Sequence, residues 1–414
     1  MTTDTRNCPE GSMFIALKGE TFNGNAFARQ ALEKGCRYAV VDEAEYADAP
    51  NIFLVDNCLE TLQLLAREHR RALGTPIVGI TGTNGKTTTK ELIAIVLQKR
   101  FKTLYTQGNL NNHIGVPLTL LNLTEEHEMA VVEMGANHPG EIRTLVNIAD
   151  PDCGMITNVG KAHLEGFGSF EGVVKTKSEL YDYLRLKENA FIFLDRDNEV
   201  LCQASAGLES IGYGLEGEDL YVKGKLHACA PFLSFEWEHE GVIHDVNTHL
   251  IGAYNVKNAL AAIAIGCRFG VPAEAICEAL NGYIPSNNRS QLTETEDNHL
   301  IVDAYNANPT SMMAALENFR LMEVQNKVAV LGDMKELGEG SLDEHRKIIS
   351  FLQTCGFERT ILVGAEFGKA NAGFEHYPDV EAVKALFAEN KPVGKFVLIK
   401  GSNSMKLAQL KDIL

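Results

Sequence analysis

The stretch Ile77-Val-Gly-Ile-Thr-Gly-Thr-Asn-Gly-Lys-Thr-Thr-Thr89 runs from an apolar strand pattern through two glycines into a helix start at Lys86. That order makes a phosphate cradle: glycines let successive backbone N–H groups face one point, and the helix dipole adds positive potential there. In such a loop Lys86 reaches the β- and γ-phosphates while the Thr87 hydroxyl ligates Mg²⁺. The strict pattern places glycine where Ile80 stands, so the loop is a variant, with the helical run Glu91 to Lys99 supplying its context. Glu133 closes a second apolar run, Met129-Ala-Val-Val-Glu. Because ligands of open parallel sheets gather at the carboxyl ends of strands, Glu133 is expected to serve a metal. His163 follows a third run, Met155 to Val159, and that position raises it above an ordinary loop histidine. Between these lies the loop Tyr105 to Pro117, where Asn109, Asn111 and Asn112 are denser in amides than a turn requires. Asn255 and Asn258, at i and i+3 of a helix start, share one face and suit a purine edge. Lys175 and Lys177, on the helical pattern Phe170 to Leu184, read from periodicity as solvated helix charges.

These residues need a parallel sheet to bring them together, and the chain has the length for it. Its 414 residues are expected to form an α/β protein of three domains: 1–75, a small N-terminal α/β unit; 76–285, a central phosphate-loop domain; and 286–414, a Rossmann-like C-terminal domain. Gly74-Thr-Pro76 punctuates the first boundary and the polar stretch Ile284 to Ser290, with Arg289 at the hinge, the second. Beyond it the strand patterns 299–303, 327–332, 360–363 and 395–399 alternate with helical runs 310–322, 342–354 and 379–388. No GxGxxG accompanies them, which argues against dinucleotide binding. Lys and Arg total 38 against 55 Asp and Glu, a net charge of −17, which argues against nucleic-acid and anionic-membrane surfaces. Apolar runs fall short of the ~18 residues of a membrane span, and nine scattered cysteines without a CxxC pair suit a reducing compartment, so a cytoplasmic protein without membrane insertion is expected.

Gly82-Thr-Asn-Gly-Lys-Thr87, Glu133-Met-Gly, Thr157-Asn with His163, Lys175-Thr-Lys-Ser-Glu-Leu, Asn255 with Asn258, and Asp303-Ala-Tyr-Asn-Ala-Asn-Pro309 together resemble the Mur ligase family, ATP-dependent ligases of peptidoglycan precursors. Gly108 to Pro117, Tyr305 to Pro309 and Leu331 to Glu339 are most similar to members that join D-alanyl-D-alanine to UDP-N-acetylmuramoyl-tripeptide, and the Asp-Asn-Pro-Arg signature of diamino-acid-adding relatives is missing from the sequence.

The resemblance implies ATP and two Mg²⁺, with an N-terminal domain for the UDP end of the substrate and a C-terminal domain that closes with the dipeptide. It implies that Gly82, Thr83, Asn84, Gly85, Lys86, Thr87 and Thr88 hold the phosphates, that Thr87 and Glu133 share one metal, and that His163 serves a second. It makes Lys177 the lysine that the family carbamylates. Asn255 and Asn258 become adenine contacts, Arg289 a hinge contact to the nucleotide and Asp303 a ribose contact. Asn109, Asn111, Asn112, Tyr305, Asn306, Asn308, Asp333, Glu336 and His345 fall to the substrates. A monomer is expected. Three positions depart from the family pattern: Asn25 and Tyr254 where histidine is usual, and Asn403 where arginine is common. The alternatives are a diamino-acid-adding or folylpolyglutamate-type ligase and a nucleotide switch that ligates nothing, although no NKxD guanine motif occurs.

Overall fold

The computed structural model describes residues 1–217, 219–229, 231–285 and 291–414. Arg289 lies outside them.

Strand Ile77–Thr81 is buried along its whole length because alternate side chains serve two cores. Val78 and Ile80 pack with helices Lys86–Leu97 and Asn255–Arg268, whereas Ile77 packs with Glu141–Ala149 and the helix Phe170–Arg185. Neighbouring Met129–Glu133 splits the same way, with Met129 and Val131 on one face and Ala130 and Val132 on the other. Continuous apolar runs covered on both faces are what a parallel sheet between helix layers requires. The sheet has nine strands. From the edge Thr103–Tyr105 the order is Met129–Glu133, Ile77–Thr81, Cys153–Ile156, Phe191–Asp195, Ser210–Gly214 and Val222–Cys229, all parallel. Phe232–His239 and Val242–Ile251 extend it antiparallel.

The N-terminal sheet has three parallel strands, Met13–Ile15, Tyr38–Val41 and Ile52–Leu54. Its helix Cys58–Leu73 begins at Asn57, whose side chain accepts the Glu60 N–H, and ends at Gly74 in the left-handed region (φ 67°). Buried Arg70 on that helix pairs with Asp152 at 2.7 Å, and Asp152 also accepts the Ile77 N–H, so the helix is fastened to the central sheet at the strand that carries the phosphate loop. Asn25, one of the three departures, is fully buried: it donates to Asp42 Oδ1 at 2.8 Å and accepts the Asp42 N–H at 2.9 Å. There it holds the Lys18–Asn25 loop to the end of a strand.

The C-terminal sheet has the order Gln291–Glu294, His299–Asp303, Phe396–Lys400, Lys327–Gly332, Arg359–Val363, Glu375–Tyr377, parallel except for its first strand. The last strand in sequence thus inserts beside the Asp303 strand. The α/β class and the Rossmann-like C-terminal sheet expected from the sequence are present, with helices at Pro309–Leu321, Ser341–Cys355 and Val380–Glu389. No helix among the described residues is long and apolar enough to cross a membrane.

Candidate active site

A cavity of about 800 Å³ opens between the central and C-terminal sheets, with Leu59 and Gln63 of the helix Cys58–Leu73 also in its wall. The phosphate loop, Glu133, the asparagine loop and the start of helix Asn255–Arg268 wall one side, while Asp303, Tyr305, Asn306 and Lys400 of the C-terminal domain wall another. Glu133, Asp303 and Lys400 each end a strand, so the carboxyl edges of two sheets face one space.

Helix Lys86–Leu97 starts from Gly85 in the left-handed region (φ 77°), and Gly82 adopts φ 144°. A Cβ on Gly82 would stand 2.0 Å from Thr157 Oγ1, and one on Gly85 2.7 Å from Asn258 Oδ1. Both positions therefore demand glycine for space as well as torsion. The loop between them is braced from the next strand's end. The Asn84 N–H donates to Asn158 Oδ1 at 3.0 Å, and Thr157 Oγ1 and Asn158 Nδ2 donate to the Asn84 carbonyl at 2.7 and 3.0 Å. Lys86 Nζ curls over the loop to the carbonyls of Gly82 (2.8 Å) and Thr83 (2.9 Å).

Glu133 is 1% exposed. Its Oε1 accepts from Thr87 Oγ1 at 3.2 Å and Asn111 Nδ2 at 2.8 Å, while its buried Oε2 has no hydrogen-bond partner among the described residues. Leaving a buried carboxylate oxygen unpaired costs about 1–3 kcal/mol or more. A hydroxyl and a carboxylate converging beside a phosphate cradle are the hard oxygen donors that Mg²⁺ takes, usually few and completed by phosphate and water. The residues present fit that ion.

Lys177, expected from periodicity to be a solvated helix charge, is instead 2% exposed. Its Nζ donates to the Ala136 carbonyl at 3.2 Å and lies 5.4 Å from the centroid of the Phe167 ring. Burial, followed by repulsion from Lys86, pushes its pKa well below the usual lysine value, favouring the neutral amine. His163 adopts φ 50° and pairs through Nδ1 with Glu336 of the C-terminal domain. Burial lowers its pKa, with Lys86 and Lys177 adding to the effect and Glu336 opposing it. As a metal ligand through Nδ1, His163 would have to exchange Glu336 for the ion.

Asn255 and Asn258 do share a face, but both are buried and bonded to one another: Asn258 Nδ2 donates to Asn255 Oδ1 at 2.8 Å, and Asn258 Oδ1 accepts from Thr89 Oγ1 at 3.0 Å. Asn109, Asn111 and Asn112 line the cavity, Asn112 also capping helix Gly115–Leu120 through its contacts to the Ile114 and Gly115 N–H groups. Thr88, Tyr254, Tyr305 and Asn306 line it too. Asn308 stands behind the wall. It caps helix Pro309–Leu321 and donates to Asn84 Oδ1 at 2.7 Å, joining the C-terminal domain to the phosphate loop.

Asp333 and His345 are fully buried and line no part of the cavity. Asp333 accepts the Glu366 and Phe367 N–H groups and pairs with Lys335 at 3.0 Å. His345 donates from Nδ1 to the Ser341 carbonyl and accepts the Met334 N–H at Nε2, which fixes a neutral ring. Asn403 is exposed and likewise outside the cavity wall. The sequence reading missed Lys400 as a site residue: it is a buried cation in the wall, and a lone lysine ending an apolar run gave no spacing signal.

A parallel sheet with a phosphate loop, closed by a second parallel sheet, defines a nucleotide-using α/β enzyme. Family profiles match in three stretches: "Mur ligase family, catalytic domain" over residues 1–70, "Mur ligase middle domain" over 80–266, and "Mur ligase, glutamate ligase domain" over 288–403. The UDP-N-acetylmuramoyl-tripeptide--D-alanyl-D-alanine ligase of Bacillus subtilis is 35% identical over 428 residues, covering 100% of this chain and 93% of that protein. Among solved structures, MurF from Acinetobacter baumannii superposes with a TM-score of 0.89 at 31% identity, covering 99% of this chain and 92% of that one. The MurF ligase from Thermotoga maritima in complex with ADP gives 0.89 at 28% identity, covering 100% and 96%. The chain belongs to the Mur ligase family.

Proposed function

We propose that this chain joins D-alanyl-D-alanine to UDP-N-acetylmuramoyl-tripeptide at the expense of ATP, giving the pentapeptide precursor, ADP and phosphate. The observation that carries the reading is the unpartnered Oε2 of Glu133 beside Thr87 and the phosphate loop, in a cavity walled by two domains. Full-length similarity to relatives bearing that activity in their names supports the choice of substrates.

A carboxylate is a poor electrophile, so the γ-phosphoryl of ATP first passes to the tripeptide carboxylate, giving an acyl phosphate and ADP. The amine of D-alanyl-D-alanine then attacks the acyl carbon, the C–O bond to phosphate breaks, and the amine's proton is lost. Anionic groups must meet in the first step, which fixed positive charge makes tolerable. Lys86 leaves the Gly82 and Thr83 carbonyls for the β- and γ-phosphates, and the N–H groups of Thr83 to Thr88 orient them. Thr87 and Glu133 would hold one Mg²⁺ and His163 a second, and there Mg²⁺ would supply positive charge against the phosphate oxygens. Lys177, whose charged form burial disfavours, takes up CO₂ on its neutral amine with loss of a proton, giving a carboxylate-like oxygen donor. Asn255 and Asn258 face the adenine, Asp303 the ribose and Arg289 the nucleotide at the hinge.

Residues 1–75 hold the UDP end, 76–285 bind ATP, and 286–414 close with the dipeptide, excluding the water that would hydrolyse the acyl phosphate. The enzyme works as a monomer in the cytoplasm, where both nucleotide substrates reside. Phosphate release with the tripeptide, ATP and Mg²⁺ tests the reading across a panel of amines. Turnover with D-alanyl-D-alanine and not with diaminopimelate, lysine or glutamate is expected. Turnover with one of those amines alone would transfer the chain to another branch of the family.

A further inference from the structure

Lys400 has no role in the account above, yet it is one of the more constrained charges in the molecule. It ends strand Phe396–Lys400, which lies directly beside His299–Asp303, and the two strands pair in register so that Lys400 stands opposite Asp303. Its side chain is 1% exposed and that of Asp303 17%. Nζ donates to Asp303 Oδ2 at 2.5 Å and to the Asn306 carbonyl at 3.3 Å. A buried ammonium is tolerated only with such partners, so the pair is held as a unit. Lys400 engages one carboxylate oxygen; Oδ1 has no hydrogen-bond partner among the described residues, and both residues line the cavity. The second bond fixes the 304–308 loop, which carries Tyr305 to the cavity wall and Asn308 to Asn84 of the phosphate loop.

We propose that Lys400 is a positioning residue for nucleotide selection: it holds the Asp303 carboxylate where its remaining oxygen accepts from the ribose hydroxyls of ATP. This rests on the reading of Asp303 as the ribose contact. Two hydroxyls donating to one carboxylate need that carboxylate fixed in rotation, and a short charge-assisted bond from a fully buried strand end supplies the fixation. Without Lys400 the carboxylate turns freely, and the preference for a ribose over a deoxyribose falls while the phosphoryl chemistry at the opposite wall is retained.

The test is steady-state kinetics with ATP, 2′-deoxy-ATP and 3′-deoxy-ATP for the wild type, Lys400→Met, Lys400→Arg and Asp303→Asn. Wild type is expected to favour ATP over the poorer deoxy analogue by about tenfold or more in kcat/KM, the value of one good hydrogen bond to a charged group. Lys400→Met should raise KM for ATP by about that factor, with a much smaller fall in kcat, and bring the preference close to that of Asp303→Asn. A residue that merely supports the fold would lower activity with all three nucleotides alike. Lys400→Met with the full wild-type preference overturns the proposal. If Lys400→Met does not fold, Lys400→Arg decides, because its longer fork keeps the charge and displaces the donor: a reduced preference is expected, and an unchanged one overturns the proposal. A wild type with no ribose preference, matched by Asp303→Asn, would remove the Asp303 reading itself and the Lys400 proposal with it.

Discussion

Glu133 concentrates the chemistry of the site in one side chain. Its Oε1 is committed to Thr87 and Asn111, and its buried Oε2 is committed to nothing in the described chain. The isosteric change Glu133→Gln keeps the shape and removes the charge. Turnover should fall by about 10²-fold or more, the scale of losing one preorganised electrostatic partner of a transition state. The Mg²⁺ concentration needed for half-maximal rate should rise, and thermal stability should hold or increase because an unsatisfied buried anion has gone. An unchanged rate with an unchanged Mg²⁺ requirement would remove Glu133 from the metal. Sequence alone singled this residue out, since a carboxylate ending an apolar strand is a local signal. Lys177 shows the limit of such signals: helical periodicity placed it with solvated charges, and only the packing of its helix against the central sheet buries it.

At the scale of elements, the segment from Asp333 to Leu337, between a strand and a short 3-10 turn, is held by buried polar groups. His345 accepts the Met334 N–H and donates to the Ser341 carbonyl, and its ring lies edge-on to Phe367 at 4.7 Å. Burial lowers its pKa from the ordinary 6.5. The folded state therefore keeps the ring neutral while the unfolded chain takes up a proton, so the stability His345 contributes is present above the ordinary value and is lost as pH falls through it. His345→Phe should cost about 1–3 kcal/mol at neutral pH by orphaning the Met334 N–H. That deficit should shrink as the pH falls below about 6, because the wild type loses a proton-linked advantage that the variant never had. Denaturant melts of both proteins across that range measure it, and a deficit independent of pH would contradict the assignment. The sequence grouped Asp333, Glu336 and His345 by motif alone. Which of them face a cavity depends on how helices Ser341–Cys355 and Ala365–Ala370 pack, and motif spacing carries no information on that. Lys400 was hidden for a related reason, since it meets Asp303 only because the last strand in sequence inserts in the middle of its sheet.

At the scale of the whole molecule, the central and C-terminal sheets, each legible from runs of apolar residues broken by turns, bring their carboxyl edges to one cavity, and the N-terminal domain adds Leu59 and Gln63 from its long helix. Ile251 and Phe232 of the central sheet pack into the C-terminal core, and beside that apolar contact the seam between the two domains carries polar pairs. Asn84 with Asn308, His163 with Glu336, and Lys161 with Glu344 at 3.2 Å cross it. Bonds of this kind exchange readily with water and phosphate, as a domain that closes over substrates and reopens for product requires. The sequence offered the members of these pairs but not the pairings, because each joins residues at least 173 positions apart. The measurement closest to the central claim follows ADP and UDP-N-acetylmuramoyl-pentapeptide together, by mass, in reactions holding the tripeptide, ATP, Mg²⁺ and D-alanyl-D-alanine. One ADP per pentapeptide is expected from the wild type, and neither product from a folded Lys86→Ala variant. ADP formed without pentapeptide, or formed equally by the variant, would contradict the account.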